Sequence, residues 1–329
     1  MTFANIIGTG IYVPERIVTN DDLSRILGEN VNEFVSRVLG IQERHYAAEN
    51  ESTADLATNA GRNALEAAKL DAKELDLIIL ATDTPEQLSP ATSVVVQHRL
   101  GASNAGTFDV NSACAGFVTA LDTASKFIIA DSAYRNVLVV GAYAMSKYLD
   151  LHDKKTATIF ADGAGAVVLQ ASDDSPGFLA GKLHADGSFY DHMGIYAGGT
   201  HLPITRDVID EGIWNKVRFA KKYPAEVNTE GWPAIVQQVL AKARLELSDV
   251  KLFLFTQVNL STIKEVMHKL ELPMDRTHTI MQKWGYTGSA CIPMVLHDAV
   301  NAGKLERGDN LIMCASGGGL NMACVAFKR

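Results

Sequence analysis

Three short patterns recur along this chain at a nearly constant spacing, and that recurrence constrains the fold more than any other feature. Leu75-Asp76-Leu77-Ile78-Ile79-Leu80-Ala81-Thr82 reads as a buried strand after a helix at 53–69. Ser248-Asp249-Val250-Lys251-Leu252-Phe253-Leu254-Phe255-Thr256 reads the same way after a helix at 231–245, with Asp76 and Asp249 173 residues apart. Ser112-Ala113-Cys114-Ala115-Gly116-Phe117 opens an apolar helix, and so does Gly288-Ser289-Ala290-Cys291-Ile292-Pro293, about 175 residues on. Val137-Leu138-Val139-Val140-Gly141 is matched by Leu311-Ile312-Met313-Cys314-Ala315 at an offset of 174. Such offsets are the mark of a duplicated unit. Each half runs helix, strand, helix, strand, strand. Continuous apolar strands alternating with helices predict an α/β layered fold. The halves are expected at 1–170 and 231–329. The stretch 171–230 has no visible equivalent in the first half and reads as a loop-rich excursion or lid.

Composition narrows the function. Of 329 residues, 47% are apolar and 21% charged, an ordinary globular balance. The formal charge of −8 disfavours a nucleic-acid partner, because phosphate binding needs a basic face. No apolar run approaches the roughly 20 residues of a membrane helix, and Met1–Asn5 opens no secretory signal, so the expectation is a cytoplasmic protein with no membrane partner. The cysteines at 114, 291, 314 and 324 form no C-x-x-C pair, which argues against zinc and against a redox dithiol. Gly8-Thr9-Gly10 lacks the third glycine and the following helix of a dinucleotide fingerprint.

Cys114 follows the short strand end Phe108-Asp109-Val110 and precedes an apolar helix. At a helix start, unsatisfied N–H groups and the positive dipole end favour a thiolate, and the same amides can hold an oxyanion. Cys291 has a similar local setting, so this argument alone does not choose between them. The wider stretch Asp109-Val110-Asn111-Ser112-Ala113-Cys114-Ala115-Gly116-Phe117 resembles the nucleophile motif of the β-ketoacyl-acyl-carrier-protein synthase III family. Ile7-Gly8-Thr9-Gly10-Ile11-Tyr12-Val13-Pro14-Glu15, Gly40-Ile41-Gln42-Glu43-Arg44, Phe160-Ala161-Asp162-Gly163-Ala164-Gly165-Ala166 and Ser316-Gly317-Gly318-Gly319 are similar to further motifs of that family. The resemblance implies a thiolase-like, five-layered αβαβα fold of two pseudo-repeated halves, and an acyltransferase that carries the acyl group on Cys114. It also implies an oxyanion hole from the N–H groups of Cys114 and Gly318. Acyl-CoA or acyl carrier protein would be the donor, with no permanently bound cofactor. The family's homodimer would use Val94-Val95-Val96 and the helix after Cys114.

Two positions depart from the pattern. The family pairs its cysteine with a His in a His-Gln-Ala-Asn-Leu motif, which here reads Thr256-Gln257-Val258-Asn259-Leu260; its Asn in Gly-Asn-Thr becomes Gly285-Tyr286-Thr287. Thr256 and Tyr286 can each donate a hydrogen bond, but neither is a ready base near neutrality. Acyl transfer to Cys114 is therefore expected to survive, and standard malonyl decarboxylation is not. Asp83, on the loop after the first buried strand, lies roughly where a related branch, the 3-hydroxy-3-methylglutaryl-CoA synthases, carries a catalytic Glu; it also suits an ordinary turn. Phe34 aligns with the family's cofactor-stacking Trp and Lys154 with one of its arginines. Arg218 and Asn259 complete the expected substrate contacts. Lys216, Lys221 and Lys222 form a basic cluster beside Arg218 that reads either as phosphate contacts or as a solvated face. A second class of function, a non-catalytic partner subunit that keeps only the fold, is the alternative.

Overall fold

Ser52 starts the first long helix, α1 (Thr53–Ala68), through a capping box: its side chain accepts the Asp55 N–H while Asp55 accepts the Ser52 N–H. The small buried face of α1, including Ala57, Ala60 and Ala64, lets it lie directly on the first strand, β1 (Phe3–Tyr12). A Cβ at Gly8 would meet the Ala64 carbonyl oxygen at 2.5 Å, and one at Gly10 would meet the Ala64 nitrogen at 2.2 Å. These glycines exist for helix–strand contact, which accounts for the Gly-Thr-Gly motif without a nucleotide.

The computed structural model describes residues 2–212 and 215–329. Its first sheet holds β1, β2 (Leu77–Ala81), β3 (Gly106–Val110), β4 (Asn136–Ala144) and β5 (Asp162–Ser172), in the order β1-β5-β4-β2-β3. A second sheet holds β6 (Phe178–Ala185), β7 (Val250–Phe255), β8 (Asn310–Gly317) and β9 (Asn321–Lys328), in the order β7-β8-β9-β6. Removing β3 makes the two orders the same, and β3's place in the second sheet is reduced to one bridge between Phe253 and Thr277. The duplication read from the sequence is thus a duplication of sheet topology. Between the sheets lie α3 (Gly116–Ala130) and α6 (Cys291–Asn301). Helices α1 and α2 (Thr92–Leu100) cover the outer face of the first sheet, and α4 (Glu226–Ala243) and α5 (Leu260–Lys269) flank the second. The result is the expected α/β sandwich of five layers.

Three expectations change. The stretch 171–230 has a counterpart after all: β6 pairs antiparallel with β9 as β1 pairs with β5. It escapes a pattern search because its outer half, Lys182 to Ala185, is partly or fully solvent-facing and lacks the apolar run of a central strand. The stretch Ala113–Ala130 is apolar and long enough to cross a membrane by composition, but most of it is enclosed between the sheets. The same enclosure removes α3 as a subunit interface. Val96 is buried as well, leaving Val94 as the exposed member of the valine run.

The tight seat of α1 gives a direct test. Gly10→Ala should lower the melting temperature by several degrees through overpacking of roughly 1–3 kcal/mol or more. Gly187→Ala, with no atom within 4 Å of its added Cβ, should change it little. Equal melting temperatures for the two variants would show that α1 does not need this contact.

Candidate active site

The parallel strand β3 delivers the chain to a sharp elbow. Asn111 Oδ1 accepts the Ala113 N–H at 3.1 Å, and Ala113 takes a left-handed φ of +47°. The Ala115 N–H then returns to the Ser112 carbonyl at 3.1 Å, and the Gly116 N–H to that of Ala113 at 2.9 Å. A β-carbon in the left-handed region costs about 1–2 kcal/mol, and such strain is characteristic of functional turns. Cys114 stands at the crest, one residue before the N-cap Ala115 of α3.

Cys114 is only 2% exposed. Burial pushes its thiol well above the ordinary range, the Asp83 carboxyl pushes in the same direction, and the nearby Tyr286 hydroxyl pulls it back. Desolvation thus opposes the thiolate that the helix start favours.

Tyr286 is held from both sides. Its N–H donates to the Ile159 carbonyl at 3.1 Å, and its own carbonyl accepts the Ala161 N–H at 2.9 Å. Gly285, at φ +67°, passes so close to Ala161 and Arg44 that an added Cβ would meet the Cβ of each at 2.8 Å. Arg44, the last residue of the Gly-Ile-Gln-Glu-Arg motif, is wholly buried. It donates to the carbonyls of Val18 and Thr158 and to Asn20 Oδ1, at 2.8–3.2 Å. That motif is thus the floor beneath Tyr286. Phe160 stacks on Tyr286 with centroids 5.8 Å apart, and Phe219 stacks on Phe160 at 6.3 Å.

Thr256, at the end of β7, is used as an acceptor. Its Oγ1 receives the Ser316 N–H at 3.0 Å and so fixes the start of the triple-glycine turn. Ser316 Oγ is tied in turn to Asn228 Oδ1 at 2.7 Å. A Cβ at Gly317 would lie 2.6 Å from the Cys114 nitrogen, so the turn lies flat against the elbow. Gly318, the next residue, lines a cavity of about 250 Å³ with Asp83, Asn111, Ala113 and Met193. Asp83 Oδ1 is buried with no hydrogen-bond partner among the described residues, and burial raises the carboxyl to about 6.

The expected substrate contacts divide. Phe34 and Lys154 line one groove of about 590 Å³ with Phe219, Lys221, Lys222 and Tyr223. Lys154 is 2.9 Å from Glu29, and Lys221 pairs with Asp191 at 2.5 Å. Arg218 lies outside that groove's lining. Asn259 is committed to capping α5, its Oδ1 accepting the N–H groups of Ser261 at 2.9 Å and Thr262 at 3.4 Å. A helix N-cap explains why that position carries Asn. Lys216 donates to the Leu149 carbonyl at 2.7 Å. Cys291 is fully buried and pushed to about 12 by desolvation, and Cys314 faces Cys324 across β8 and β9.

Sequence reasoning missed Tyr143, Phe160, Phe219 and Tyr223. Tyr223 receives the Gly319 N–H on its hydroxyl at 3.5 Å, and so joins the groove to the glycine turn. The available signal was position: ligands gather beyond the carboxyl ends of parallel strands, and Tyr143 is such a residue.

An elbow cysteine between two duplicated sheets, abutted by a glycine turn, defines an acyl-transferring enzyme of the thiolase-like class. Residues 108–187 match the family model described as 3-Oxoacyl-[acyl-carrier-protein (ACP)] synthase III, and residues 240–329 match its C-terminal counterpart. A β-ketoacyl-[acyl-carrier-protein] synthase III from Syntrophomonas wolfei is 38% identical over 98% of this chain and 96% of its own length. The crystal structure of 3-oxoacyl-[acyl-carrier-protein] synthase III from Aquifex aeolicus is 36% identical, with a TM-score of 0.89 over 99% of this chain and all of that one. A priming β-ketosynthase of the R1128 polyketide pathway is 29% identical, with a TM-score of 0.88 over 99% of this chain and 96% of its own. The chain belongs to the 3-oxoacyl-[acyl-carrier-protein] synthase III family and is an acyltransferase.

Thr256→Val tests the turn support. Removing the acceptor of the buried Ser316 N–H should cost about 1–3 kcal/mol, read by chemical denaturation. Thr256→Ser should restore most of it. An undiminished stability in the Val variant would dissociate Thr256 from the glycine turn.

Proposed function

We propose that Cys114 accepts an acyl group from acyl-CoA or an acyl carrier protein and passes it to an acceptor in ping-pong order, with Tyr286, at the family's Asn position, and Asp83, on the loop after β2, assisting in place of the family's His and Asn. The observation that carries this reading is the strained elbow at Cys114, with Ala113 at φ +47° and Gly317 packed so closely that its added Cβ would lie 2.6 Å from the Cys114 nitrogen. In the first step the new C–S bond forms at Cys114 and the donor thioester bond breaks. The thiol proton ends on the departing CoA or carrier thiol, so the exchange is neutral and needs no resident thiolate. The N–H groups of Cys114 and Gly318 are assigned to the tetrahedral oxygen. Thr256 contributes by holding the turn that carries Gly318.

The pantetheine arm would enter through the groove between Phe34 and Phe219, with Lys154, Lys221 and Lys222 at its rim meeting phosphate or an acidic carrier. CoA or phosphopantetheine belongs to the substrate here, and no permanent cofactor is assigned. A homodimer in the cytoplasm fits this reading, and exposed Leu88 and Val94 supply apolar surface for the partner copy. A purely scaffolding role draws no support from the site, since a fold-only subunit has no use for a strained elbow aimed at a glycine turn.

In the second step Asp83 takes the acceptor's proton. Its carboxyl is raised from 3.8 to about 6 by burial, so the base form is depleted below pH about 6 and complete above it. Malonyl decarboxylation, which the family pattern assigns to His and Asn, should be slowed on the order of 10²–10⁴-fold relative to an enzyme with that pair.

Two measurements check this. Intact mass after incubation with a panel of acyl-CoA and acyl-carrier donors should show one acyl group per chain, absent in Cys114→Ala; no acylation by any donor would sink the reading. With pre-acylated protein, acceptor turnover should rise about tenfold per pH unit up to about pH 6 and then level off, and Asp83→Asn should abolish that rise. A pH profile identical in the two proteins would remove Asp83 from the mechanism.

A further inference from the structure

Beyond the residues assigned so far, one buried phenol within electrostatic reach of Asp83 and Cys114 has no task. Strands β2 and β4 are parallel with Ala81 beside Gly141, and the chain beyond them carries Asp83 close enough to Tyr143 for its charge to raise the phenol. The Thr84 hydroxyl accepts the Ala144 N–H at 2.9 Å and holds the two strand ends together there. The face concerned is the one turned to the elbow helix: a Cβ at Gly116 would meet the Ala81 Cβ at 3.2 Å. Tyr143 is wholly buried, and its hydroxyl, like Asp83 Oδ1, has no hydrogen-bond partner among the described residues.

The second half of the chain has given up a side chain to admit this ring. Gly288, at φ +47°, would place a Cβ 2.3 Å from the Tyr143 ring. Gly288 is two residues beyond Tyr286, and Phe160 packs against both tyrosines, 6.2 Å from Tyr143 and 5.8 Å from Tyr286. A phenol and a carboxylate oxygen, each buried without a partner, are costly unless a bound group completes them. That group must offer an acceptor to the phenol and a proton to the carboxylate. A donor aimed at a hydroxyl or amine would tie up the lone pair that has to attack. Aimed at a carbonyl oxygen, it stabilises the negative charge that develops when the neighbouring carbon loses a proton.

We propose that Tyr143 is a catalytic residue of the second half-reaction, donating to the carbonyl oxygen of an acceptor thioester while Asp83 removes the proton from its α-carbon. This rests on the acyl–Cys114 reading and names the acceptor class within it. The α C–H electron pair becomes an enolate whose oxygen is held by Tyr143. The enolate carbon bonds to the acyl carbon on Cys114, the acyl C–S bond breaks, and Cys114 recovers the proton from Asp83. The products are a β-ketoacyl thioester and free enzyme, and no carbon dioxide is lost. A site without the family His and Asn is thereby suited to an acceptor that carries no carboxylate to discard.

The test is deuterium exchange into the α-carbon of acetyl-CoA in D₂O, read by mass spectrometry. Cys114→Ala, which cannot be acylated, isolates the enolate step, so exchange is expected in that protein. Adding Tyr143→Phe should slow exchange by about 10²-fold, and adding Asp83→Asn should remove it. Acylation of Tyr143→Phe with Cys114 intact serves as the folding control and is expected to proceed. Absence of exchange in Cys114→Ala, exchange unaltered by Tyr143→Phe, or loss of acylation in Tyr143→Phe would each overturn the assignment. Failure of the wild type to be acylated at all would instead overturn the preceding proposal, and the two failures are read by separate measurements.

Discussion

The contact between Gly317 and the backbone of the Cys114 elbow joins the two halves at the point where chemistry is placed. A side chain at 317 would collide with the Cys114 amide, so the glycine turn can press flat against the elbow and bring two independent backbone segments to one atom. Everything around it serves this approach. Thr256 anchors the turn from β7, Asn111 sets the elbow from β3, and the glycines of β1 and β4 let helices sit close enough to hold both sheets in place. Gly141, for instance, would place a Cβ 2.4 Å from the Ser289 carbonyl oxygen.

Within that frame desolvation governs the electrostatics. Burial raises Cys114, Tyr143, Tyr286 and Asp83 alike, the Asp83 carboxyl to about 6. In the proposed reading the site uses hydrogen-bond donors and a single carboxylate in place of an imidazole. Such an arrangement does little for a preformed thiolate, but it suits steps in which protons move as bonds form. The aromatic column from Phe219 through Phe160 to Tyr286 connects the outer groove with this interior and gives the phenols a rigid backing.

Much of this was legible in the chain itself. The offsets of 173–175 residues announced the duplicated sheets because a buried parallel strand must be apolar along its whole length. The elbow cysteine was legible because strand, small residues and helix follow one another within a few positions. Strand β6 was not, since its outer half faces solvent and reads like a loop. Asn259 was misjudged as a substrate contact, because an N-cap and a ligand contact demand the same side chain and only the bonds to Ser261 and Thr262 distinguish them. Arg218 was placed by its charge alone, and one-residue alternation on a short strand puts Phe219, not Arg218, into the groove lining.

Sequence alone determined the layered α/β class, the two halves and the strand–cysteine–helix elbow at Cys114, because each is written in local residue order or in spacing. Tertiary structure decided the burial of the Cys114 thiol, the use of Thr256 as an anchor, and the burial of Asp83 Oδ1 and the Tyr143 hydroxyl without partners among the described residues. Burial and strand register set these, and both depend on residues far apart in the chain that meet only when the sheets close over α3 and α6.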